Sequence, residues 1–112
     1  MKNKFLGAIV ASATLALVSV TNAGTLDDVK KRGQLNCGIN TGLPGFAYTD
    51  DKGNWQGFDV AFCQALAGAV LGDPSKVKYK NLTGKTRFPT LASGEIDVLS
   101  RNTTWTLQRD VE

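Results

Sequence analysis

The stretch Arg101-Asn-Thr-Thr-Trp-Thr-Leu-Gln-Arg109 carries the residue types best suited to holding a small charged molecule. It sets hydroxyls, an amide and an indole between two arginines, directly after the apolar run that begins at Ile96. Backbone amides and hydroxyls at the start of a helix form a ready anion site. Arg109 can add a planar, two-pronged donor matched to a carboxylate. Together these groups would suit the carboxylate of a small zwitterion. The same composition is equally that of a plain helix start, with solvated arginines and Trp105 anchoring a sheet edge.

Other residues extend the candidate site. Phe46 and Trp55 could form a flat wall for a ligand side chain or could cap the core beneath a hairpin. Arg87 could reach the same place or stand exposed at a helix start. Asp59 reads as a helix N-cap, and Asp97 as a residue pinning the turn at Gly94. Glu95 and Asp97 do not form an acid–base pair. With no histidine and two cysteines, the chain has no Ser-His-Asp or Cys-His group and no His-ligated or four-cysteine zinc site. Neither glycine-rich phosphate fingerprint, GxGxxG or GxxxxGK[ST], occurs. No cofactor is called for.

These groups need a scaffold. Thr25-Leu-Asp-Asp28 reads as a capping box opening a short helix that Gly33 stops. Gln34 to Asn40 alternates Leu35, Cys37 and Ile39 with Asn36, Gly38 and Asn40, the pattern of a strand with one apolar face. Thr41 to Gly45 is a loop. Asp50-Asp51-Lys52-Gly53 is a hairpin turn between Phe46–Tyr48 and Trp55–Phe58. A helix is expected from Asp59 to Leu71, with Phe62, Ala65, Leu66, Ala69 and Val70 as its apolar stripe and Cys63 at the edge. Val77 to Leu82 reads as a strand, Thr86 to Ala92 as a short helix and Ile96 to Ser100 as a third strand. A further helical turn starts after Thr106. The order β-α-β-α-β implies an open α/β sheet, mostly parallel, with flanking helices. Ligands in such sheets occupy the crevice beyond the strands' carboxyl ends. Those ends lead into Thr41–Phe46, Thr83–Arg87 and Arg101–Thr106.

The chain has 112 residues, with 13 basic and 10 acidic side chains and a net charge of +3. Lys2 and Lys4 account for most of that excess. Without them eleven basic residues face ten acidic ones, which is no footprint for nucleic acid. The two lysines open a segment that continues as an apolar run from Phe5 to Val20 and ends in Thr21-Asn22-Ala23. This is the layout of a secretory signal peptide, 1–23, cleaved before Gly24. The run is shorter than the roughly 20 residues that cross a bilayer. Export would place Cys37 and Cys63 in an oxidising compartment, where a pair favours a disulfide. The competing reading is two buried thiols. Their spacing excludes a CxxC redox pair.

Several motifs together resemble one family, the bacterial periplasmic solute-binding proteins of amino-acid ABC transporters. Gly57-Phe-Asp-Val60, followed by Phe62, Leu66, Ala67 and Val70, resembles the family signature. Ala61 departs from it, standing where a second acidic residue is usual. Ser93-Gly-Glu-Ile-Asp97 and the closing stretch that ends at Arg109 match the family's first lobe. Cys37-Gly-Ile-Asn-Thr-Gly-Leu-Pro-Gly-Phe46, Trp55-Gln-Gly-Phe-Asp59 and Leu99-Ser-Arg-Asn-Thr-Thr-Trp-Thr106 resemble the broad-specificity, general L-amino-acid branch.

The resemblance implies a two-lobed protein that closes on its ligand like a hinged jaw, with residues 24–112 forming part of lobe one. It implies that Arg109 clamps the ligand's α-carboxylate. Asn102 and Thr104 would bond its ammonium and carboxylate groups, with Arg101 beside them, and Arg87 would lie near an acidic side chain. The loop with Leu43 and Phe46 would form the side-chain wall. It further implies a periplasmic monomer that hands L-amino acids to membrane permease subunits without catalysis. An enzyme on the same fold, a periplasmic dehydratase or cell-wall lyase, would need another carboxylate aimed into the cleft. A small exported interaction domain is the third reading.

Overall fold

The structure, a computed structural model, describes residues 24–111; the expected signal peptide, 1–23, lies outside them. Helix α1 (Thr25–Arg32) has Asp27 and Asp28 in its first turn and Lys30, Lys31 and Arg32 in its last. That charge order suits the helix dipole. Gly33 closes it in the left-handed conformation, its amide donating to the carbonyls of Val29 and Lys30. The expected capping box does not form. Gly24 takes the N-cap position, no side chain caps it, and Thr25 is already helical.

Three parallel strands follow the expected order. β1 (Leu35–Ile39) lies at the centre of the sheet, between β4 (Val77–Asn81) and β5 (Val98–Leu99). Leu35 to Ile39 run in register with Val77 to Asn81, and Cys37 and Gly38 pair with Val98 and Leu99. A separate antiparallel hairpin joins β2 (Tyr48–Thr49) to β3 (Trp55–Gln56). Its turn is held by the Asp50 carboxylate, which accepts from the amides of Lys52 and Asn54 at 2.9 and 2.8 Å. The fold is therefore α/β, an open and mostly parallel sheet with flanking helices.

Because β1 is central, both its faces are covered. Leu35, Cys37 and Ile39 are buried on one side, and Gly38 is buried on the other. A Cβ on Gly38 would come within 2.6 Å of the Leu82 Cδ1; the strand needs a glycine there so that neighbouring side chains can close over it. Helix α2 (Phe58–Leu71) packs on the face of Leu35, Cys37 and Ile39. Val60 and Cys63 join Cys37, Ile39 and Ala47 in one core cluster, and Ala67 joins Val29 and Leu35 in a second.

The expected stripe of α2 is only partly right. Leu66 and Val70 are half-buried, but Ala65 and Ala69 are exposed and Phe62 is 49% exposed. The buried line runs through Val60, Cys63 and Ala67 instead. Cys63 sets this rotation, since it is bonded to Cys37 of β1, with their Cα atoms 6.4 Å apart. That spacing is within the ordinary range for a disulfide.

Two shorter helices complete the fold. α3 (Arg87–Ala92) leads to β5, and α4 (Leu107–Asp110) begins at Thr106, whose hydroxyl accepts from the Arg109 amide at 3.3 Å. Asp97 does not pin the Gly94 turn. Its Oδ2 accepts from the Asn36 amide at 2.7 Å and from the Arg32 guanidinium, so it ties β1 and α1 to the start of β5. Among the described residues, no helix is long and apolar enough to cross a membrane.

Candidate functional site

The three parallel strands point their carboxyl ends the same way, and the loops that leave them meet there. The loop after β1 is tightened by Leu43 and Ala47, which exchange both backbone hydrogen bonds at 3.1 and 3.0 Å. The loop is then stitched to the start of α2. The Phe58 amide donates to the Gly45 carbonyl at 3.0 Å, and the Asp59 amide to the Phe46 carbonyl at 2.9 Å. Gly57 makes this junction possible. It is the N-cap of α2, at φ 116, and a Cβ there would lie 2.6 Å from the Phe46 carbonyl carbon. Asp59 is therefore not the cap expected from the sequence: it stands one residue inside the helix, and its side chain is free for other work.

That side chain is buried beneath a cleft of about 450 Å³ lined by Phe46, Phe58, Asp59, Arg101, Asn102, Thr103 and Thr104. Asp59 is only 5% exposed. Its Oδ1 accepts from the Ser100 hydroxyl at 3.4 Å, while Oδ2 is buried without a partner. Burial raises the Asp59 carboxyl above the ordinary aspartate value, against the opposing effects of the Ser100 hydroxyl and the Arg101 charge.

Arg101 follows the buried Ser100, two residues beyond the end of β5. It donates to the Leu82 carbonyl and, at 3.4 Å, to the Asn102 side-chain oxygen, and its Nε is buried unpaired. Burial first, and the Arg87 charge second, lower its pKa; Asp59 works against that shift. Arg87 reaches the same loop from α3. It donates to the Asn102 carbonyl at 3.2 Å and the Thr103 hydroxyl at 2.8 Å, and its Nε too is buried unpaired. The start of α3 is itself braced by Thr83 and Thr86, whose hydroxyls lie 3.1 Å apart.

The structure thus brings together Phe46, Arg101, Asn102 and Thr104 around one cleft, with Arg87 braced against its rim. Leu43 shapes the loop through its backbone and does not line the cleft. Trp55 packs on the core, its ring 5.4 Å from that of Tyr79. Trp105 is 77% exposed and donates to Asp110, so it does not anchor the sheet edge. Arg109 lies to one side. It donates to the Thr104 carbonyl at 2.6 Å, and its guanidinium sits 5.2 Å from the centre of the Phe88 ring, over α3.

Asp59, Phe58 and Thr103 belong to the cleft and were not assigned to it from sequence. Asp59 had a signal, as the one charged residue in the mostly apolar 58–71 segment. Chemically, the cleft offers a buried carboxylate, a guanidinium with a second behind it, an amide, two hydroxyls and aromatic faces. That set suits a small molecule carrying charges of both signs. Among the described residues, no group of three or more histidine, cysteine, aspartate or glutamate side chains could hold a metal ion.

Comparison with known proteins places this arrangement. Residues 35–112 match the family described as bacterial extracellular solute-binding proteins, family 3. The chain is 60% identical to the general L-amino acid-binding periplasmic protein AapJ of Rhizobium johnstonii, over 98% of this chain and 33% of that one. It is also 60% identical to the glutamate/glutamine/aspartate/asparagine-binding protein BztA of Rhodobacter capsulatus, over 99% of this chain and 32% of that one. The chain therefore spans about a third of the length of these relatives. A solved ABC transporter periplasmic binding protein from Brucella ovis, with glutathione bound, superposes with a TM-score of 0.77 at 60% identity, covering 80% of this chain and 28% of that one.

Proposed function

The chain belongs to the bacterial extracellular solute-binding proteins, family 3, and from that premise we propose that it captures L-amino acids in the periplasm for an ABC transporter. One observation carries the reading: a cleft with charges of both signs, at the carboxyl ends of the parallel strands, in a chain 60% identical to two periplasmic amino-acid-binding proteins. Residues 1–23 serve as the signal peptide, and 24–112 form part of the first lobe of a two-lobed binding protein. The partners are a free L-amino acid and the permease subunits, with the binding protein itself a monomer.

Within the site, Asn102 and Thr104 bond the ligand's ammonium and carboxylate groups, and Phe46 covers its side chain, on a loop that Leu43 tightens. Arg101 and Arg87 supply positive charge at the side-chain end. Arg109 grips the α-carboxylate. In the structure its guanidinium rests on Phe88, outside the cleft lining, so this role requires Arg109 to leave that ring. A charge-assisted hydrogen bond of this kind contributes roughly 1.5–3 kcal/mol.

Isothermal calorimetry with a panel of L-amino acids, on protein expressed from its own gene, tests the reading. Saturable binding of several of them is the expected result, and no heat from any would sink it. Arg109→Ala should weaken binding by about tenfold or more, the loss of one such bond. Unchanged affinity would remove Arg109 from the site.

A further inference from the structure

Two arginines at one cleft should make it selective for acidic ligands, yet the same cleft has a buried carboxylate that is only partly satisfied. Asp59 is 5% exposed; its Oδ1 takes one long bond from Ser100, and its Oδ2 takes none. Arg101, the residue after Ser100, lines the same cleft and keeps a buried, unpaired Nε. Arg87 stands behind Arg101, spending its donors on Asn102 and Thr103. A carboxylate needed only for folding would be expected to have both oxygens paired. This one is held beside the cleft by the Gly57 junction, with one oxygen uncommitted.

We infer that Asp59 is a specificity-determining residue: its negative charge offsets Arg101 and Arg87, so that the cleft accepts neutral as well as acidic side chains. The role is electrostatic and requires no contact between Asp59 and the ligand. At short range inside a protein, one charge alters the energy of another far more than it does in water. With Asp59 ionised, the floor of the cleft has one net positive charge from these three groups; with Asp59 neutral it has two. The second condition favours a glutamate side chain over the isosteric but neutral glutamine.

The inference rests on the amino-acid-binding reading above and is tested with that pair of ligands. Calorimetry gives affinities for L-glutamate and L-glutamine in the wild-type protein and in Asp59→Asn, with thermal melts to confirm folding. The expected result is that the preference for glutamate over glutamine rises by roughly tenfold in the variant, the size of effect one buried charge exerts on a neighbouring charge site. A purely structural role would weaken both ligands alike, and an unchanged ratio would overturn the inference. Asp59→Ser, which also removes the charge, serves if the Asn variant fails to fold. Failure of both would make Asp59 a folding residue and overturn the inference as well. If the wild-type protein binds amino acids but not both of these, the breadth assigned to Asp59 is wrong. If it binds no amino acid at all, the functional reading itself has failed.

Discussion

Asp59 shows how a single residue can be placed correctly on a helix and still be misassigned. The sequence put it at the start of α2, where an aspartate caps; Gly57 takes that position instead, and the carboxylate turns inward. The consequence can be measured. Burial raises the carboxyl in the folded protein above its ordinary value of 3.8. A raised acid favours folding below the unfolded value and loses that contribution as pH climbs through the folded one. The Asp59→Asn protein should therefore melt at a higher temperature than wild type at pH 7, and the two should converge below pH 3.8, as followed by circular dichroism. A lower midpoint for the Asn variant at neutral pH would mean that the attraction to Arg101 outweighs burial. That Arg101 and Asn102 line the cleft was legible in the polar composition of the segment that follows the third strand. Thr103 and Phe58 were not legible, because whether a threonine in a loop or the first residue of a helix faces the cleft depends on how distant segments pack.

At the scale of elements, periodicity located the helices and strands but not the face that α2 buries. Nearly every residue from Phe58 to Leu71 is apolar, so several stripes fit the helical spacing equally well. The bond from Cys63 to Cys37 selects one of them and fastens α2 to the central strand. Replacing both cysteines with alanine should destabilise the fold by about 3 kcal/mol, the chain-entropy contribution for a loop of this length, measured by urea unfolding. The junction between the β1 loop and α2 depends on Gly57 in the same way. Gly57→Ala should cost about 2 kcal/mol or more, because the residue sits at positive φ with the Phe46 carbonyl against the position of the new Cβ. The same urea titration reads that loss, and amino-acid affinity should fall with it, since Phe46 is carried on the displaced loop.

For the whole molecule, the order β4-β1-β5 makes the site. Placing the first strand between the two later ones gathers three loops, far apart in sequence, at one end of the sheet. An amino acid that binds there should stabilise the folded chain by about 2.7 kcal/mol at a hundred times its Kd. A thermal shift that grows with ligand concentration checks this. Export belongs to the same scale. Mass spectrometry of the protein recovered from the periplasm should give a chain that begins at Gly24, and an intact Met1 would rule out cleavage after Ala23.

The sequence by itself determined the element order, the parallel sheet and the chemical character of the 101–109 segment. These follow from local periodicity, from turn residues and from composition, all of which act over a few positions. Tertiary structure alone decided which face of α2 is buried, that Asp59 and Arg101 share a cleft, and that Arg109 rests on Phe88. Those outcomes depend on contacts between segments tens of residues apart, where rotating one helix or reshaping one loop changes which groups meet, and no local pattern encodes that choice.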